Sequence, residues 1–132
     1  MIAHLTQGSN DMHRSIQFYD ALLNPLGIRR REQEPAQDEF IVCYKTDSPD
    51  SPLFFVVKPI DEQAATSGNG AMVAFQAKDT SQVDQCYEAG MNSGGVDEGK
   101  PGPRPNYSQG YYGAYLRDPD GNKVHIVYRS GV

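Results

Sequence analysis

An internal repeat constrains this chain more than any other feature of its sequence. When the sequence is shifted by 68 residues, landmarks of the first half fall on identical residues of the second half, in the same order. The matching pairs are Ala3 and Ala71, Asp11 and Asp79, Tyr19 and Tyr87, Ala21 and Ala89, and Gly27 and Gly95. Self-similarity at a fixed shift indicates that one supersecondary unit is built more than once. We therefore expect two similar modules, one from each half of the chain.

The first half predicts a strand, a helix and three further strands. A short strand over residues 2–6 precedes Asp11, whose carboxylate can cap the first turn of a helix. The apolar face of that helix has members spaced four, three and four residues apart, namely Met12, Ile16, Tyr19 and Leu23. A proline and a glycine then end the helix. The three strands are predicted over residues 28–33, 40–46 and 53–58.

The second half repeats this plan. A strand over residues 71–77 alternates between two faces, and Asp79 caps a helix that ends near Gly90. Further strands are predicted over residues 96–98, 111–117 and 122–128. A long Pro/Gly loop over 99–110 separates the first two, and the turn 118–121 joins the last two.

Two such units predict an α+β protein. We expect two tandem βαβββ repeats to form a curved mixed sheet, an open half-barrel with the helices outside and a pocket for a small molecule inside. The length of 132 residues suits a single domain. Repeat one is placed over about residues 1–60, the linker over about 61–69 and repeat two over about 70–130.

Composition excludes several classes of partner. The formal net charge is −5 and no basic cluster stands out, so nucleic-acid binding is not expected. No apolar run reaches the length of a membrane span, and the N-terminus lacks a signal pattern, so we expect no membrane contact and a cytoplasmic location. Cys43 and Cys86 are far apart and lie in apolar segments, which favours buried, inert thiols.

Three stretches of the sequence resemble one known family. His4, the segment 11–19 and the segment 115–125 are similar to the first strand, first helix and closing hairpin of the vicinal oxygen chelate superfamily, which includes glyoxalases, bleomycin-resistance proteins and extradiol dioxygenases. The resemblance covers nearly the whole chain. It implies a pocket centred on a divalent metal (Zn, Ni, Fe or Mn) and a homodimer whose pockets combine copy one of one chain with copy two of the other.

Only two of the four ligand positions that the resemblance implies hold a residue that can bind a divalent metal. His4 and His125 occupy the first-strand position of copy one and the last-strand position of copy two. The two remaining ligand positions hold Phe55 and Met72, neither of which suits a hard divalent ion. The resemblance thus assigns His4 and His125 to metal binding or to acid–base catalysis. A metal-free pocket is the alternative, since drug-binding members of the superfamily lack metals.

The loop before the last hairpin supplies candidate ligand contacts. Prolines on both sides hold Arg104 in an extended segment, and Arg recognises carboxylate or phosphate bidentately. Tyr107 follows in the same loop, which by its length is typical of a functional segment. If Arg117 lies opposite Asn122 in the hairpin, Tyr112 shares a face with His125 and is the preferred aromatic pocket residue. On the other reading, the prolines cover a sheet edge and Arg104 is solvated.

Two functions remain open from the sequence. The first is a glyoxalase-like lyase or isomerase acting on a small polar or anionic metabolite, with His4 and His125 at its centre and Arg104 neutralising substrate charge. The second is a metal-free protein that binds and sequesters a small molecule, as bleomycin-resistance proteins do. The two histidines and Arg104 favour the first function, whereas the acidic net charge favours the second.

Overall fold

The computed structural model describes residues 1–33 and 35–130. Within these ranges the chain forms eight strands and two α-helices. In chain order they are β1 (His4–Gly8), α1 (Met12–Leu23), β2 (Arg29–Arg30), β3 (Ile41–Lys45), β4 (Leu53–Val57), β5 (Val73–Gln76), α2 (Thr80–Met91), β6 (Val96–Pro103), β7 (Tyr111–Arg117) and β8 (Lys123–Arg129), with a 3₁₀ turn (Asn24–Leu26) after α1.

The strands belong to two mixed sheets of four. The first sheet has the order β1-β4-β3-β2 and the second the order β5-β8-β7-β6. In each sheet the first strand of the module pairs parallel with the last, and the other pairs are antiparallel. Both modules therefore have the predicted βαβββ plan and the same topology. The α+β class is confirmed, although the strands of the described residues form two sheets and not one.

Both helices begin where the sequence predicts. Asp11 accepts a hydrogen bond from the backbone N–H of Arg14 at 3.1 Å, and Asp79 accepts one from that of Gln82 at 2.8 Å. Each carboxylate thus satisfies a donor that the first helical turn leaves unpaired. Gly27 ends the 3₁₀ turn with φ of 72°, a backbone conformation that favours glycine. Neither helix has the length and apolar character of a membrane span, as far as the described residues go.

One hydrophobic core joins the two modules. The helices pack against each other and against one face of each sheet. Phe54 of β4 meets Phe75 of β5 edge to face, with ring centroids 5.2 Å apart. Phe18, Leu22 and Val83 of the helices are fully buried in the same cluster. The opposite face of each sheet carries neither α1 nor α2, and we call it the open face.

The hairpin between β7 and β8 forms polar contacts between the second module and the first. Asp118 is 3% exposed, and its Oδ2 accepts hydrogen bonds from the hydroxyl of Tyr19 at 2.6 Å and from Nδ2 of Asn122 at 2.8 Å. Asp120 accepts from Arg14 at 3.0 Å and from Ser15 at 3.1 Å, both on α1. The turn motif that resembles the family hairpin is therefore also a polar contact between the modules.

The register of this hairpin differs from the prediction. Asp118 and Asn122 close the turn with a backbone hydrogen bond of 2.9 Å, so Arg117 pairs with Lys123 and not with Asn122. A shift of one residue moves every side chain of a strand to the other face. Tyr115 therefore lies opposite His125, and the prediction that Tyr112 shares its face is wrong.

The two edge strands also differ in length from the prediction. β6 extends to Pro103, so the first part of the predicted loop is paired with β7, as at Gly102 and Gly113. β6 tolerates prolines because it is an edge strand with an irregular register. β2, at the edge of the other sheet, is only two residues long.

Candidate active site on the second sheet

His125 lies flat against the open face of the second sheet. Its side chain is 1% exposed, and its ring is parallel to that of Tyr115 with centroids 4.0 Å apart. The imidazole occupies space beside Gly113, where a Cβ would collide with Cε1 of the ring. The ring of Tyr111 is nearly parallel to it at 5.8 Å. The absence of a side chain at Gly113 thus leaves the space that the imidazole occupies beside the two tyrosines.

Both ring nitrogens of His125 have partners. Nδ1 lies 2.9 Å from the carbonyl oxygen of Ala114, which can only accept, so Nδ1 carries the proton. Nε2 is then an acceptor and receives a hydrogen bond from the hydroxyl of Tyr111 at 2.7 Å. The result is a chain of hydrogen bonds from a phenol through a neutral imidazole to a backbone carbonyl.

The surroundings keep this histidine neutral. Burial lowers the pKa of His125 below its ordinary value, and three nearby positive charges lower it further. These charges belong to Arg104, Arg129 and Lys123. Burial also raises the pKa of Tyr115, so its phenol stays protonated at neutral pH. The centre of the open face therefore contains neutral aromatic groups, and three positively charged side chains lie around them.

A shallow pocket of 540 Å³ opens above these groups. Its walls include Met72, Tyr107, Tyr111, Tyr115, Lys123 and Arg129. Lys123 Nζ lies 5.1 Å from the ring centroid of Tyr115, and Arg129 Cζ lies 5.9 Å from that of Tyr111. Its volume is typical of small-molecule sites.

Arg104 borders this group, but its own loop holds much of its guanidinium. Its Nη1 donates to the carbonyls of Gly102 and Pro103, at 2.9 and 3.2 Å, and its Nη2 to that of Lys100 at 2.6 Å. Three of the five N–H groups of an arginine are thereby used. The Cζ atom lies 5.7 Å from the ring centroid of Tyr115. In this conformation Arg104 stabilises the loop and contributes positive charge beside the pocket.

The two predicted pocket tyrosines lie on different sides of the sheet. Tyr107 is at the pocket, 65% exposed, with its ring centroid 5.2 Å from that of Tyr111. Tyr112 lies on the helix side, where its hydroxyl donates to Asp84 of α2 at 2.7 Å. Placing Tyr112 beside His125 was therefore an error of register, and Tyr111 and Tyr115 take that position.

His4 is on the other sheet. It lies on the open face of the first sheet, is exposed, and contacts Phe55 edge to face at 5.4 Å. Within one chain the structure thus places His4 with Phe55, and His125 with the tyrosines. In the described ranges, neither histidine belongs to a group of three or more His, Cys, Asp or Glu side chains that could hold a metal.

The donor set on the second sheet does not fit a divalent metal. The tautomer of His125 leaves Nε2 as its only possible ligand atom, and the hydroxyl of Tyr111 already occupies it. The position of the second repeat that corresponds to His4 holds Met72, and its thioether does not suit a hard divalent ion. Among residues 1–33 and 35–130, no three His, Cys, Asp or Glu side chains come together as a metal site would require.

Sequence reasoning missed four members of this site. Tyr111, Tyr115, Lys123 and Arg129 were not identified as pocket residues. The available signal was Asp118 and Asn122 at the two ends of the turn: pairing them places Tyr111 and Tyr115 on the face of His125. Because side chains alternate between the two faces along a strand, Lys123 and Arg129 of β8 lie on the face of His125 as well.

A second groove, of 640 Å³, runs beside α1. Three of its charged groups are paired with one another: Arg30 contacts Asp20 at 3.1 Å and Asp38 at 2.8 Å. The hydroxyl of Tyr44 also donates to Asp20 at 2.8 Å. Because these three groups satisfy each other, Arg30 is less available to a charged ligand than Lys123 and Arg129 are at the pocket at Tyr111.

The fold and site can be compared with known proteins. A family model described as Glyoxalase/Bleomycin resistance protein/Dioxygenase superfamily matches residues 1–126. The solved structure of a glyoxalase/bleomycin resistance protein from Albidiferax ferrireducens T118 is 39% identical, with 98% of each chain covered and a TM-score of 0.83. No curated protein is significantly similar in sequence.

Two more distant structures share the fold. A glyoxalase-related enzyme from Fulvimarina pelagi is 20% identical, with 98% of this chain and 88% of that chain covered and a TM-score of 0.73. A lactoylglutathione lyase from Agrobacterium tumefaciens is also 20% identical, with 97% and 92% covered and a TM-score of 0.64. At this identity the likeness concerns the fold alone.

Proposed function

Because the chain belongs to the glyoxalase/bleomycin resistance protein/dioxygenase superfamily, we propose that it binds a small polar metabolite on the open face of its second sheet. We further propose that this site works without a metal held by His4 and His125. The observation that supports this proposal is the hydrogen bond from Tyr111 to Nε2 of His125, which occupies the one nitrogen that a metal would need. Met72, which corresponds to His4 in the second repeat, supports it further because a thioether is a poor ligand for such a metal.

A lyase or isomerase is the second candidate function. The chain of hydrogen bonds from Tyr111 through His125 to the carbonyl of Ala114 favours it, because a phenol beside a neutral imidazole can exchange a proton with a bound carbonyl compound. Turnover distinguishes the two candidates. An enzyme alters the compound recovered from the complex, whereas a binding protein returns it unchanged.

Divalent metals should neither stabilise the protein nor bind it stoichiometrically. We expect Zn²⁺, Ni²⁺, Fe²⁺ or Mn²⁺ to leave the melting temperature unchanged, because a ligand raises it only by binding the native state. Protein purified without a histidine tag should contain less than one metal per chain by elemental analysis. A stoichiometric metal lost in both His4→Ala and His125→Ala, but retained in His13→Ala, would contradict the proposal. His13 is the matched control, an exposed histidine on α1.

We also propose a cytoplasmic homodimer. Both cysteines are buried and free, which suits a reducing compartment. The open face of the first sheet is apolar: Ile41, Phe55 and Val57 are half-buried there. A face of this kind favours association, and a second copy of the chain is the simplest occupant.

Light scattering after gel filtration tests the oligomeric state. We expect twice the mass of 14.6 kDa that one chain has. Phe55→Glu should yield the monomer, since it places a charge in the apolar face, whereas Gln17→Glu on exposed α1 should leave the dimer intact. A wild-type protein that stays monomeric at high concentration would rule the dimer out.

A further inference from the structure

We propose that the pocket above Tyr111 and Tyr115 binds its ligand through an oxyanion, a carboxylate or a phosphate, held by Lys123 and Arg129. This inference rests on the proposed function, because it names the ligand class of the same site. It goes beyond that function by predicting the charge of the ligand and the two side chains that recognise it.

The distribution of charge supports an anionic ligand. The chain as a whole has a formal charge of −5, yet the open face of its second sheet carries Arg117, Lys123 and Arg129. Arg117 is paired there with Glu98 at 3.2 Å. Across residues 1–33 and 35–130, no carboxylate forms an ion pair with Lys123 or Arg129. Within the described residues, Lys123 and Arg129 therefore form no ion pair, and both border a pocket that is open to a ligand. Glu98, the partner of Arg117, also lies close enough to Lys123 for the two charges to attract each other.

The same contacts disfavour a cationic ligand. A tyrosine cage binds a cation through open ring faces. Here His125 covers one face of Tyr115, and Lys123 and Arg104 lie near the ring at 5.1 and 5.7 Å. A third positive charge, on a ligand, would be repelled by these two. An anion instead gains attraction from them without displacing any protein group.

Hydroxyl groups complete the set of donors. Tyr107, Ser108 and Tyr115 border the pocket. Because burial keeps the phenol of Tyr115 protonated, that group can donate a hydrogen bond to an oxyanion. An adjoining groove of 680 Å³ shares Lys123 and Met72 with the pocket, which leaves room for the rest of the molecule. A bare inorganic ion would leave most of that space empty.

Three aromatic probes of similar shape test the inference by NMR titration of ¹⁵N-labelled protein. They are benzoate, phenyl phosphate and the neutral benzamide, so the first two distinguish carboxylate from phosphate. We expect at least one of the two anions to shift backbone amides of β7 and β8. Benzamide should bind about tenfold more weakly or not at all, as expected when charge-assisted hydrogen bonds are lost.

Substitution of the two cations completes the test. Lys123→Gln and Arg129→Gln should each weaken binding of the anion about tenfold. Lys58→Gln is the matched control, because Lys58 lies 5.8 Å from the ring centroid of Phe40, outside this site. It should change the affinity less than twofold.

Several results would overturn the inference. Equal binding of benzamide and the anions, or an affinity unaffected by both substitutions, would show a small-molecule site of another ligand class. Failure of both anions to shift these amides would also overturn the inference of an oxyanion ligand. A stoichiometric metal bound by His4 and His125 would instead overturn the proposed function while leaving the measured anion affinity in place.

Discussion

Replacing Asp118 with alanine should lower the free energy of unfolding by about 3 kcal/mol. The carboxylate accepts four hydrogen bonds, from the side chains of Tyr19 and Asn122 and from the backbone N–H groups of residues 120 and 122. Tyr19 is fully buried, so its hydroxyl would lose its partner where water cannot easily replace it. The loss also removes one polar contact between the second module and helix α1 of the first.

Urea unfolding followed by circular dichroism measures this effect. Asp50→Ala is the matched control, because Asp50 lies in the corresponding hairpin of the first module and is exposed. It should change the free energy of unfolding by less than about 0.5 kcal/mol. Equal stabilities of the two variants would show that the polar contact between the modules contributes nothing.

Substituting Gly113 with alanine should destabilise the protein by about 2 kcal/mol, within the range for overpacking a core. The backbone at Gly113 lies outside the left-handed region, so the strain comes from neighbouring atoms. An added Cβ would collide with Cε1 of His125 and come within 3.2 Å of Nε2. The imidazole must therefore leave its place, which also breaks its hydrogen bond with Tyr111.

A double-mutant cycle isolates this cause. In a His125→Ala background, Gly113→Ala should lose most of its cost, because the ring it would strike is gone. Gly102→Ala serves as the control, since its added Cβ would meet only the end of the flexible Arg104 side chain, at 3.3 Å. If the cost of Gly113→Ala is the same in both backgrounds, the histidine is not what requires the glycine.

The sequence predicted the elements of the fold well, because their signals are local. Asp11 and Asp79 mark helix starts through their own hydrogen bonds to the following turn. The alternation along β5 also holds: Phe75 and Ala77 are buried, while Ala74 and Gln76 are exposed. These patterns need only a few neighbouring residues, and the internal repeat supplied the order of the elements.

The candidate site was harder to predict, because it depends on pairing between strands. The structure places His125 and Tyr107 on the pocket face, as predicted for their position, and Tyr112 on the helix side. A turn one residue longer than assumed exchanged the two faces of β7. The relation of His4 to His125 could not be read from either strand, since it depends on how two sheets meet.

The parallel rings around His125 have a practical consequence for spectroscopy. The chain has eight tyrosines and no tryptophan, so its intrinsic ultraviolet emission comes from tyrosine alone. Tyr107, Tyr111 and Tyr115 are at the pocket, and two of them are parallel to an imidazole. A molecule that enters the pocket changes the surroundings of these fluorophores directly. Occupancy of the pocket can therefore be followed by tyrosine fluorescence, without an added label.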